Sequence, residues 1–137
     1  MSRLLLFTSI CLYIGCITTK TNFRQPGSLN GVWIPVKQEM GGKALPLPGY
    51  DRDTLTLSDT VYNYTSRDKG MVNYKDGTMD IYSREGVNAG KHFTAIYKVD
   101  HGELTVCYNL AGDGYPADFE TVGKQTLFLA VFRRSQE

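Results

Sequence analysis

Apolar and polar residues alternate in short runs from Gly31 onward, with turn-forming residues between the runs. A period of two is the mark of a strand that buries one face. "GVWIPVKQE" opens the series, and Pro35 within it predicts an edge, a bend or a bulge, because proline cannot donate to a strand ladder. "DTLTLSD" and "TVYNYTS" follow, separated by a Ser58-Asp59 turn. "RDKG" links them to "GMVNYK", and "KDGT" links that run to "TMDIYS". Asp76-Gly77 is the strongest two-residue hairpin signal in the chain. "HFTAIYKV" and "ELTVCYNL" are joined by the tight turn "DHG", and "QTLFLAVFRR" is the last run. Three longer loops interrupt the series: "MGGKALPLPGYDR", "REGVNAGK" and "AGDGYPADFE". No segment has helical periodicity flanked by caps.

About eight short strands with local turns predict an all-β fold, an eight-stranded antiparallel up-and-down barrel. Closure removes the exposed edges that would otherwise pair with neighbouring molecules. In the last run both alternating sets are apolar, Leu127, Leu129 and Val131 on one and Phe128, Ala130 and Phe132 on the other. Something must therefore cover the outside of the barrel there, a loop or a partner molecule.

The first sixteen residues, "MSRLLLFTSICLYIGC", follow a different pattern. Arg3 supplies a short positive region and Leu4 to Ile14 an uncharged apolar run, shorter than the roughly 20 residues a spanning helix needs. The run ends at Gly15-Cys16, before a polar stretch. This resembles the lipobox of bacterial lipoproteins, whose cysteine thiol receives diacylglycerol before cleavage. Tyr13 stands where that motif usually has Leu. The expected organisation is a signal peptide over 1–15, a tether from lipid-bearing Cys16 to Ser28, and a barrel domain over 29–137. An ordinary secretory peptide and a transmembrane anchor are the alternatives. The protein is thus expected to be exported and held at a bacterial cell envelope, in contact with a membrane through its N-terminal lipid.

Composition adds exclusions. With 15 basic and 14 acidic residues the chain has no basic patch of the kind that tracks phosphates, so nucleic acid is not an expected partner. Cleavage before Cys16 would also remove Arg3, leaving equal numbers of basic and acidic residues. Of the three cysteines only Cys107 would remain as a free thiol, so no disulfide framework is possible and stability must come from a core. Nine Tyr and six Phe favour strands.

The two ends of the domain carry a family resemblance. "LNGVW" has the G-x-W of the calycins, the superfamily of lipocalins and fatty-acid-binding proteins. "GKHFTAIYKVDHGELTVCYNLAGDGYPADFET", followed by "LFLAVFRR", is similar to a bacterial lipocalin-like domain of unknown function first catalogued in Planctomycetes. The resemblance covers Leu29 to Arg134. One departure is Tyr115 before Pro116, where that family often carries Arg, so no role of that Arg carries over. In lipocalins the G-x-W tryptophan closes one end of the barrel beneath a basic side chain from after the last strand. The resemblance thus implies a structural signature of Gly31, Trp33 and either Arg133 or Arg134. Alternation places those arginines on opposite faces, so one of them reaches Trp33. A guanidinium over an indole gains about 0.5–2 kcal/mol. A structural role for Trp33 is preferred over ligand contact.

Candidate chemistry is thin. His101 sits in a hairpin turn, and His92 begins a strand after a loop. Cys107 has no neighbouring base in sequence and reads as a small buried hydrophobe or a residue facing a cavity. Asp51, Asp53, Asp113 and Asp118 fall in loops without the about six to eight oxygens of a calcium site, and turn chemistry accounts for them. No metal, cofactor or catalytic set is expected. What remains is aromatic: Tyr62, Tyr64, Tyr74, Tyr82, Phe93 and Tyr97, with Cys107, are the candidate lining of a ligand pocket. The same residues could instead fill a narrow barrel, and the sequence leaves hollow and filled open. The expectation is a monomeric, non-catalytic binding module for a small hydrophobic or amphipathic ligand. The alternative is a protein-interaction or envelope-structural module with a filled barrel. A cavity above about 300 Å³ favours the first. His92 clustered with Asp80 or Glu85 in a cleft would instead favour catalysis.

Overall fold

The computed structural model describes residues 28–47, 53–65 and 67–136. The expected signal segment, Cys16 and all of the tether except Ser28 lie outside the described residues. Nine strands follow in order: β1 (Gly31–Met40), β2 (Lys43–Ala44), β3 (Leu55–Ser58), β4 (Val61–Tyr64), β5 (Asp68–Lys75), β6 (Thr78–Gly86), β7 (His92–Asp100), β8 (Glu103–Asn109) and β9 (Leu127–Arg134). No helix occurs among the described residues. From β3 to β9 each strand pairs antiparallel with the next. β1 closes the ring, pairing with β3 over Gly31–Trp33 and with β9 over Trp33–Met40. The result is an eight-stranded up-and-down barrel. The ninth strand, β2, is a two-residue return that pairs only with the end of β1, at Glu39 and Met40. Two residues are too few to register as alternation, which is why the sequence shows no sign of it.

Local chemistry explains the turns and bends. Asp76-Gly77 and His101-Gly102 both adopt positive φ at each residue, the geometry that matches a hairpin to the twist of its strands. The β1–β9 register shifts between Pro35 and Lys37, the irregularity that the proline predicts. A second bulge was not legible. The β5–β6 register passes from Lys69↔Glu85 to Gly70↔Ser83, leaving Arg84 as the extra residue. The "RDKG" stretch, expected to be a link, is strand from Asp68 onward.

The inward set forms one core that includes Trp33, Leu57, Val72, Leu104, Val106 and Phe132. A separate cluster of Cys107, Leu127 and Leu129 lies on the outside of β8 and β9, with Ile96 and Phe119 packed against it. Phe119 belongs to the segment between β8 and β9, so the chain covers this apolar outer face with its own loop. That loop is pinned at several points. The Thr121 hydroxyl donates to the Glu39 carboxylate, and the Gly42 N–H donates to the Thr121 hydroxyl at 3.0 Å. At its other end Thr94 and Asn109 both donate to the Gly114 carbonyl, at 2.5 and 2.9 Å.

Candidate functional site

The two ends of the barrel differ in chemistry. One is closed by Trp33, which is 1% exposed and donates its indole N–H to the Leu29 carbonyl at 2.8 Å. Arg134 caps the indole, its guanidinium carbon 4.3 Å from the ring centroid. The same guanidinium donates to the Asn30 carbonyl at 2.6 Å. Gly31 makes room for it: a Cβ there would lie 2.7 Å from Arg134 Nη1, and φ is +137°. Arg133 points elsewhere and pairs with Glu103 at 3.2 Å. Tyr74 and Tyr97 belong to this closed end. They meet edge to face at 5.9 Å, and the Tyr74 hydroxyl accepts the Leu29 N–H at 3.0 Å. The floor is a packed, hydrogen-bonded plug.

Toward the opposite end the barrel is hollow. A cavity of about 350 Å³ is walled by Leu55, Leu57, Val72, Ile81, Phe93, Val106 and Phe132 in its depth. Gln38, Tyr62, Tyr64, Arg67, Asp68, Asn88 and Tyr108 are among the polar and aromatic residues that line the rest of it. Thus Tyr62, Tyr64 and Phe93 of the expected set line the cavity, while Tyr74 and Tyr97 do not. Two expected residues point the other way. Tyr82 is on the outer face, because Met79, Ile81 and Ser83 take the inner positions of β6; it stacks on His92 at 4.6 Å. Cys107 is also outward, under Phe119, and its neighbour Tyr108 takes the inner position. Burial pushes the Cys107 thiol up, away from the thiolate form.

The polar groups of the cavity gather at one wall, and the β6 bulge builds them. Gly70 allows it, because a Cβ there would fall 2.1 Å from the Tyr82 carbonyl oxygen. Across this tight approach Asp68 and Ser83 share the interior. The Asp68 Oδ1 accepts from the Tyr62 hydroxyl at 3.0 Å and from the Ser83 hydroxyl. Its Oδ2 accepts from the Asn88 amide at 3.1 Å. Burial pushes the Tyr62 phenol up to about 12. Burial likewise raises Tyr64 and Tyr108, so all three stay hydroxyls at neutral pH. The Tyr64 hydroxyl accepts from Gln38 at 3.2 Å. Sequence reading missed Asp68 and Ser83 because a charged residue beside a glycine reads as a link. The available signal was the alternation of Asp68, Gly70, Val72 and Tyr74 on one face of β5.

The other candidates fall outside the cavity. His92 does pair with Asp80, at 2.8 Å, but on the outer surface of β6 and β7, where Tyr115 also donates to Asp80 at 2.5 Å. This is a surface cluster anchoring the covering loop; Glu85 is exposed and takes no part in it. His101 is exposed in its turn and lies beside Asp100. Asp53 pairs with Arg67 at 3.2 Å, and Asp113 accepts from Asn109. Asp118 accepts the Glu120 N–H and the Lys124 ammonium. Asp51 is outside the described residues. Among the described residues no three His, Cys, Asp or Glu side chains converge as a metal site. No protein-family profile, curated protein or solved structure matches the chain.

Proposed function

We propose that this chain is an exported, lipid-anchored, lipocalin-like protein that binds a small hydrophobic or amphipathic ligand without transforming it. The observation that carries the reading is the cavity of about 350 Å³ at the end of the barrel opposite Trp33. That volume is within the range of small-molecule sites, about 300–1,000 Å³, and an apolar lining with a few convergent polar groups is their usual make-up. The apolar run from Leu4 to Ile14 ending at Gly15-Cys16 supports the envelope location.

Native mass spectrometry of protein purified from its membrane fraction tests the binding role. A co-purifying small molecule that is lost when Val106→Trp fills the cavity supports it. An empty protein that takes up no apolar probe overturns it. The anchor has a separate test, the mass of the Cys16 peptide. A diacylglycerol adduct is expected, and a mature chain retaining Met1 sinks that part.

One observation favours a second reading, a surface for another protein. Val61, Met71 and Tyr82 are cross-strand neighbours on the outer face of β4, β5 and β6, and all three are exposed.

A further inference from the structure

Resting on the reading of the cavity as a ligand site, we infer that the ligand carries a protonated amine, seated against Asp68 with its apolar body in the barrel. Two charged side chains line the cavity, Arg67 and Asp68. The Arg67 guanidinium faces Asp53 at 3.2 Å, so its charge is already matched. Asp68 has no cationic partner among the described residues. Its three hydrogen bonds come from two hydroxyls and an amide. These neutral donors orient a carboxylate and leave its charge uncompensated. A carboxylate has about four acceptor directions, so one remains for a ligand N–H.

The wall around Asp68 suits a cation for two further reasons. The Tyr108 hydroxyl has no hydrogen-bond partner among the described residues, although Tyr108 lines the cavity. No buried side-chain polar atom is left unpaired among the described residues, so this hydroxyl opens to the cavity, where it is free to pair with a ligand donor or acceptor. Tyr108 also stacks on Phe128 at 5.7 Å, and it lines the cavity together with Tyr62 and Tyr64, so the lining is rich in the aromatic rings that attract an ammonium group. An anionic head in the same place would meet the Asp68 charge. A neutral head would leave that charge unused.

The experiment compares three probes of equal chain length, octylamine, 1-octanol and octanoate, by titration calorimetry at pH 7 on the full chain. Octylamine is expected to bind about tenfold or more tighter than octanol, and octanoate more weakly than either, because a hydrogen-bonded charge pair outweighs a neutral contact by that order. Asp68→Asn keeps the shape and is expected to erase the amine preference while octanol binding persists. Thermal melting shows that this variant is folded, and Tyr108→Phe gives a second, milder loss of octylamine affinity. Octanol or octanoate binding as tightly as octylamine to the natural chain overturns the inference and leaves the cavity reading standing. An amine preference surviving Asp68→Asn overturns it as well. If none of the three probes binds, the cavity reading fails and the inference falls with it.

Discussion

Arg134 lies over the indole of Trp33 at 4.3 Å while Arg133, one residue earlier and on the opposite face of β9, reaches Glu103 of β8. The pairing register sets Trp33 directly across from Arg134, so the cap follows from the closure of β1 on β9. Trp33→Ala is expected to cost about 3–5 kcal/mol, the range for emptying a buried Trp site. Arg134→Ala should cost about 0.5–2 kcal/mol from the lost cation–π contact. Arg133→Ala should fall within about 1 kcal/mol, as for an exposed ion pair. Urea unfolding of the three variants checks the order. Equal losses for the two arginines would remove the cap from Arg134.

Most of the barrel was legible because its strands alternate cleanly. In β3 Leu55 and Leu57 face in, and Ser58 marks the end; in β6 Met79 and Ile81 do the same. The same period places Tyr82 outside, between the inward Ile81 and Ser83. β8 and β9 defeat it, since Cys107 and Leu129 on the outside are as buried as the core. Only the covering loop resolves which face is which, and that is a tertiary fact. Alternation along β5 and β6 placed Asp68 and Ser83 on the inner face, but their meeting was not legible, because it depends on the bulge at Arg84, and a bulge has no short-range signature comparable to Asp-Gly.

The covering loop carries its own pH dependence. The hydrogen bond from Tyr115 is the main cause holding the Asp80 carboxyl below its ordinary value, and His92 adds to it. A lowered folded value stabilises above the ordinary carboxylate range and is lost as pH falls through it. The same bond raises the Tyr115 phenol, which stabilises below its ordinary value near 10 and is lost as pH rises through the raised one. Tyr115→Phe should therefore be less stable than the natural chain at pH 7, with the difference shrinking as pH falls below the ordinary carboxylate range. Stability measured by denaturant at each pH reads this directly. A difference unchanged at low pH would show that Asp80 is not the partner that matters.

Cys107 offers a clock for the loop. Its thiol is buried, pushed toward the unreactive form and roofed by Phe119. Native protein should alkylate at Cys107 only slowly, as read by mass spectrometry of the peptide that contains it. Phe119→Ala is expected to speed alkylation by about tenfold or more by letting the loop open locally. A rate as fast in the native chain as in urea would mean that the loop does not cover the outer face.

Gly70 ties the fold to the cavity. A methyl group there meets the Tyr82 carbonyl at 2.1 Å and Ser83 Cα at 3.0 Å, both backbone atoms that cannot swing aside. Gly70→Ala should therefore push β6 away from β5 and cost about 1–3 kcal/mol, the range for overpacking. The displaced residue is Ser83, so the hydroxyl that donates to Asp68 moves with it. Ser83→Ala removes that hydroxyl without shifting the strand, and should cost about 1 kcal/mol. Both variants should weaken probe binding, but only Gly70→Ala should also loosen the amide exchange of Asp68 and Arg84 beside the bulge. If Gly70→Ala binds as the natural chain does, the bulge is not what holds the Asp68 wall in place.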